Sequence, residues 1–142
     1  MFGLCFVAEQ YALAKNPDLI RRYNEALDTG AEIFQNKSWK DKRKELKEEE
    51  YTCQIHDLYR SKALELELEI TDIARDHFGE ILTKSDDCEG INVDVLLNYV
   101  PEEKIESYID YMISCKLALG KLKAIRKYEE HKKQEKEEQS NK

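Results

Sequence analysis

Along most of this chain, apolar residues recur at helical rather than strand spacing. Near the start, Leu4, Val7, Ala8, Tyr11 and Ala12 stand at i, i+3, i+4, i+7 and i+8, which places them on one helical face. Phe6 and Leu13 fall on the other side, as expected of a helix covered on more than one face. Asn16-Pro17-Asp18 then reads as a helix start, with an amide cap, a proline at the first helical position and an acid in the first turn. That helix carries Ile20, Tyr23, Leu27, Ile33 and Phe34 along one side, and Gly30 is expected to end or bend it.

Ser38 caps a third helix, with Asp41 three residues on in a weaker form of the capping box. No proline or glycine follows until Gly79. One continuous helix over 39–84 would be about 70 Å long at 1.5 Å per residue. A domain of this size is roughly 30–35 Å across, so a break or a projecting end is required. Residues 40–50 contain only Leu46 as a large apolar side chain, which places the break between Lys47 and Tyr51.

The alternation Leu64-Glu-Leu-Glu-Leu-Glu-Ile70 imitates a strand, yet Leu and Glu both favour helix and the flanks keep a helical period. Read as helix, Ile55, Leu58, Tyr59, Leu66, Ile70, Ile73 and Ile81 share one broad face. Leu64, Leu68, Phe78 and Leu82 lie on a second, opposite one. A helix apolar on two sides sits at the centre of a bundle or against a partner, so these last four residues are the expected partner interface.

Residues 84–90 read as a polar loop. A short helix follows with Val93, Leu96, Leu97 and Val100 inward, and Pro101-Glu102-Glu103 opens the last helix. Its stripe is Ile105, Tyr108, Met112, Cys115, Leu119 and Leu122, widened by Ile109, Ile113 and Leu117. Beyond Tyr128 nothing apolar remains, so 127–142 is expected to be a charged, disordered tail. The predicted fold is all-α: a bundle of about five helices, one or two of them long, in a single domain over 1–126.

Composition agrees. Among 142 residues, five glycines and two prolines leave few obligatory breaks, and 37% charged residues exceed the usual quarter. The formal net charge of −7 argues against general adhesion to nucleic acid or anionic membranes. No apolar stretch is long enough to cross a bilayer, and Phe2–Ala8 lacks the basic flank of a signal peptide. Cys5, Cys53, Cys88 and Cys115 are scattered without a C-x-x-C pair, which suits reduced thiols and a cytoplasmic location.

Four arrangements bear on chemistry. All-α nucleotide pyrophosphatases hold Mg²⁺ on carboxylates one helical turn apart, and Glu45 with Glu48 or Glu49 resembles half such a set, with Glu69 and Asp72 as the other. Acidic pairs at this spacing also arise freely among 30 acids. Arg126-Lys-Tyr-Glu-Glu-His131 resembles the R-x4-H pattern of helical HEPN-type ribonucleases over six residues. That resemblance implies a phosphate-stabilising Arg126 and an acid–base His131. The family usually has a small polar residue where Lys127 stands. Cys53-x-x-His56 offers half a zinc site, with Cys88 or His77 as remote complements.

Finally, the basic block 37–47 sets Trp39, Lys40, Lys42, Arg43 and Lys44 together, suited to phosphate contact with base stacking or to an acidic protein partner. The acids at 45–50 oppose a nucleic-acid field. No cofactor or metal is expected, and no glycine-rich phosphate loop exists. The leading expectation is a non-enzymatic protein–protein interaction module (adaptor, regulator or inhibitor) that is oligomeric. The alternatives are a helical ribonuclease or nucleotide hydrolase using Arg126/His131 or paired carboxylates, and a nucleic-acid binder through 37–47.

Overall fold

The computed structural model describes residues 4–84 and 89–140, with the side chains of 7–82 and 91–137. Cys88 and the side chains of Leu4, Cys5 and Phe6 lie outside these. Among the described residues the protein is helical apart from two short paired strands. Its elements are α1 (Leu4–Lys15), α2 (Pro17–Gln35), α3 (Trp39–Lys47), α4 (Glu49–Asp76), α5 (Phe78–Ile81), β1 (Leu82–Lys84), β2 (Glu89–Ile91), α6 (Val93–Tyr99) and α7 (Glu102–Ser140). The described residues thus form seven helices rather than about five, because the long third segment divides into three.

The first of those divisions falls where sequence placed it. Glu48 closes α3, donating its N–H to the carbonyls of Lys44 and Glu45, while its own carbonyl accepts from Thr52 N–H at 3.0 Å. The second, at His77, has no counterpart in the apolar period. Ser38 caps α3 by accepting from Asp41 N–H, Asn16 caps α2 through Leu19 N–H at 3.3 Å, and Asn92 caps α6 through Val95 N–H. Residues 84–90 are not simply a loop: β1 and β2 pair antiparallel, with Leu82 opposite Ile91 and Lys84 opposite Glu89. Three residues per strand are too few to register as a two-residue period.

The chain makes two compact units. The first takes in residues 1–24 and 59–113. Its core holds Val7, Ala8, Tyr11, Ala12 and Leu19 from the two N-terminal helices. From later segments it takes Ala63, Ile70 and Ala74 of α4, Ile81, Leu96 and Val100, and Ile105, Tyr108, Ile109 and Ile113 of α7. Leu13, however, is exposed, so α1 has one covered face among its described side chains. The Tyr11 hydroxyl, wholly buried, donates to Glu102 Oε1 at 2.6 Å and lies 3.2 Å from Glu106 Oε1. Burial and the two carboxylates together push its ionisation far above the ordinary tyrosine value.

The second unit takes in 25–58 and 114–142. Gly30 neither ends nor bends α2. A Cβ at Gly30 would overlap the carbonyl oxygen of Leu117 on α7, and one at Gly120 would overlap the carbonyl oxygen of Leu27 on α2. The two glycines therefore let the α2 and α7 backbones touch. One turn along, Phe34 packs with Ala124 and Ile125, flanked by Ala31, Leu46 and Tyr128. Ile33, expected inward, is 48% exposed, because Ala31 and Phe34 already take the inward positions. Leu58 is likewise exposed although its expected face is otherwise covered.

The expected disordered tail is instead the end of α7, helical to Ser140. Burial there is confined to a few contacts. Tyr128 meets Phe34 edge-on at 5.9 Å and Trp39 at 5.8 Å, and Lys132 Nζ sits 3.9 Å over the Trp39 ring. His131 and Glu135 pair at i,i+4, and the Lys, Glu and Gln that fill the segment are good helix formers.

Gly30→Ala and Gly120→Ala should each lower stability by about 2 kcal/mol or more. The overlap with backbone outweighs the roughly 1 kcal/mol that alanine gains in a helix. Gly79→Ala, which meets nothing within 4 Å, should leave the unfolding midpoint unchanged or raise it. Equal losses at all three positions in denaturant titrations would remove the close-approach explanation.

Candidate functional site

Two surfaces and two charged clusters hold the residues singled out by sequence. In the first unit, α4 buries Ala63, Ile70 and Ala74 on one side. On another side Leu64 is 47% and Leu68 is 68% exposed, one helical turn apart. Phe78 is also exposed and Leu82 is half-buried. Phe78 makes interactions of its own, so the exposed apolar face rests on the two leucines. Around them stand Glu65, Glu67, Glu69 and Asp72, with Glu69 accepting from Lys104 Nζ at 2.8 Å.

In the second unit, the start of α3 and the end of α7 come together. Phe34, Gln35, Lys42, Ala124, Lys127, Tyr128, Glu130, His131 and Gln134 line an open pocket of about 500 Å³. Lys42 Nζ stands 5.9 Å from the Phe34 ring centre and 5.7 Å from that of Tyr128. Lys132 Nζ stands 5.5 Å from the same Tyr128 centre. Trp39 is 44% exposed, and both Arg43, at 5.3 Å, and Lys132 lie over its ring. The basic block is thus organised by aromatic rings, and Trp39 already carries cations where a base would stack. Lys40 and Lys44 are exposed on α3 outside the pocket lining.

The first charged cluster centres on Glu45, a buried residue of α3. Its carboxylate accepts from Lys37, and Lys121 Nζ of α7 lies 2.6 Å from Oε2, angled as an ion pair without an aligned hydrogen bond. Burial alone would raise the Glu45 pKa. The two lysines outweigh it and hold the carboxyl below its ordinary 4.5. Glu45 therefore joins α3, the α2–α3 connection and α7.

The second cluster surrounds Arg126. Its Nε lies 3.5 Å from Glu49 Oε1, and Nη2 lies 3.9 Å from Cys53 Sγ. Glu129, beside Glu49, has its carboxyl pushed up by burial and by the neighbouring carboxyl group, with Arg126 pulling the other way. Arg126 thus turns to α4 while His131 borders the pocket by α2 and α3, paired with Glu135 at 3.3 Å. The R-x4-H residues do not meet at one point. Cys53 faces Arg126, His56 Nδ1 faces Asp57, and the buried Cys115 thiol donates to the His56 carbonyl. Among the described residues no group of three or more His, Cys, Asp or Glu is placed to hold a metal ion. No helix among them is long and apolar enough to cross a membrane.

Of the residues singled out by sequence, Leu64, Leu68 and Trp39 lie exposed and Lys42 lines the pocket. Sequence reasoning missed the pairing of this block with Tyr128 and Lys132, whose only local signal is the i,i+4 spacing of those two residues in the charged segment. Comparison with protein-family models, with curated proteins and with solved structures gives no match.

Glu45→Gln should cost about 1–3 kcal/mol at neutral pH, because it leaves two lysines beside a carboxyl site without its charge. The sign with pH follows from the lowered value. Stabilisation by Glu45 is present above about pH 4.5, its unfolded value, and disappears as pH falls through the folded one. Wild-type and Glu45→Gln stabilities should converge at low pH, as read by denaturant titration across the acid range. A gap that persists unchanged would show that lost packing, not charge, sets the cost.

Proposed function

We propose that this chain is a small helical protein–protein interaction module, an adaptor, regulator or inhibitor that acts by docking rather than catalysis. The observation that carries the reading is the Leu64–Leu68 face of α4, exposed opposite a buried face of the same helix. Fully burying a leucine is worth about 1.5–3 kcal/mol, so two adjacent exposed ones favour a covering partner.

The surrounding acids define the partner's chemistry. Glu65, Glu67 and Asp72 suit an amphipathic helix with an apolar stripe and basic flanks. A second copy docking antiparallel on the same face would set glutamates against their own counterparts, so the acids favour a different chain over self-association. Catalysis through Arg126 and His131 has less behind it, since Arg126 is engaged by Glu49 and Cys53.

A helical peptide with a leucine stripe flanked by lysines is the direct probe. Fluorescence anisotropy should show it binding the full chain, with affinity lowered about tenfold or more by Leu64→Ser/Leu68→Ser. Circular dichroism should be unchanged by this pair, because exposed substitutions rarely move stability by more than about 0.5 kcal/mol. Peptide binding indifferent to the pair would sink the assignment of this face. Light scattering that gave twice the 16.7 kDa chain mass, reverting to the monomer in the variant, would instead make a second copy the occupant.

A further inference from the structure

The pocket between α2, α3 and the end of α7 lies in the other unit and carries an inference independent of the α4 face. Two ammonium groups, Lys42 and Lys132, are held within 5.7 Å and 5.5 Å of one Tyr128 ring centre. Neither has a carboxylate ion-pair partner among the described residues. Aromatic rings fix where a lysine head stands without neutralising its charge. Both are therefore pre-positioned positive charge, Lys42 in the lining of a concave site and Lys132 beside it. The lining itself holds Lys42 and Lys127 against a single carboxylate, Glu130, while Lys132 stands outside it by the Tyr128 ring and Glu135, also outside, pairs with His131.

We propose that this pocket is a phosphoryl-binding site for a nucleotide-sized ligand. A carboxylate brings one charge and satisfies one ammonium. A terminal phosphoryl group brings about −1.5 to −2 charge and three acceptor oxygens, which suits a pocket lined by Lys42 and Lys127 with Lys132 beside its Tyr128 wall. The volume of about 500 Å³ lies within the range of small-molecule sites. Phe34, Ala124 and Tyr128 give the remainder of the ligand an apolar surface. Because the Trp39 ring already carries Arg43 and Lys132, the site reads phosphate rather than stacking a nucleic-acid base on that ring.

Trp39 is the chain's single tryptophan, and Lys132 Nζ lies 3.9 Å from its ring centre, so the chain carries its own reporter. A phosphoryl group that draws Lys132 off the ring should change Trp39 emission. The full chain should be titrated with inorganic tripolyphosphate, with ATP and with an aspartate-rich peptide of matching charge, following emission and calorimetric heat together. Saturable binding of the two phosphate probes is expected, weaker at high salt. Affinity should fall about tenfold or more in Lys42→Gln/Lys132→Gln and be kept within a few-fold in Lys42→Arg/Lys132→Arg. ATP binding more tightly than tripolyphosphate would add a contribution from the apolar floor, while equal affinity would place the whole interaction at the phosphoryl group. Absence of both signals at millimolar probe, peptide affinity equal to that of the phosphates, or binding unaffected by the glutamine pair would each overturn the proposal.

Discussion

The second unit depends on a contact that no side chain makes. At Gly30 and Gly120 the backbones of α2 and α7 come so close that a single Cβ on either would meet a carbonyl oxygen of the other. A pair of helices separated by ordinary side chains packs 8–10 Å apart. Removing both Cβ atoms brings them closer and fixes their register, because only this alignment sets each glycine opposite backbone. Everything beyond the crossing inherits that register. Phe34 lands on Ala124 and Ile125, Tyr128 lands on Phe34 and Trp39, and Lys132 lands on Trp39 one turn later. The pocket by Lys42 and His131 is thus a consequence of two absent methyl groups some turns away.

Charge is distributed by the same geometry. Lys37 belongs by sequence to the basic block, yet it is spent on Glu45 together with Lys121. A buried carboxylate is expensive unless paired, and two cations outweigh the cost of its burial. Within the rest of the block, Lys42 and Arg43 turn to aromatic faces instead. The first unit shows the opposite balance, with acids gathered around the exposed leucines of α4. A net charge of −7 therefore describes neither surface.

Much of the architecture was legible because it follows from local rules. Caps at Asn16 and Ser38, the break near Glu48 and the stripe of α7 all rest on residues within a few turns of one another. The exposed α4 face was legible for a related reason: a helix with leucines on opposite sides cannot bury both against one core. What escaped prediction depends on distant partners. Gly30 reads locally as a terminator, and only the approach of Leu117 makes it a packing residue. His77 breaks the helix without proline, glycine or a change of period. Trp39 and Lys42 were visible as a basic aromatic block, but their arrangement comes from Tyr128 and Lys132, about 90 residues away along the chain.

The end of α7 shows how little burial can order a charged helix. Past Ile125, only Tyr128 contributes a large apolar surface, and the next tie is a lysine over a tryptophan ring. A cation–π contact is worth about 0.5–2 kcal/mol and an exposed i,i+4 pair a few tenths. These terms hold the helix while leaving its last turns near the low end of local stability. Any anion that competes with the Trp39 ring for Lys132 therefore acts on the weakest tie of the helix end. If the proposed site is occupied, ligand binding and the order of the last turns of α7 would be linked through the partner that the Lys132 ammonium takes.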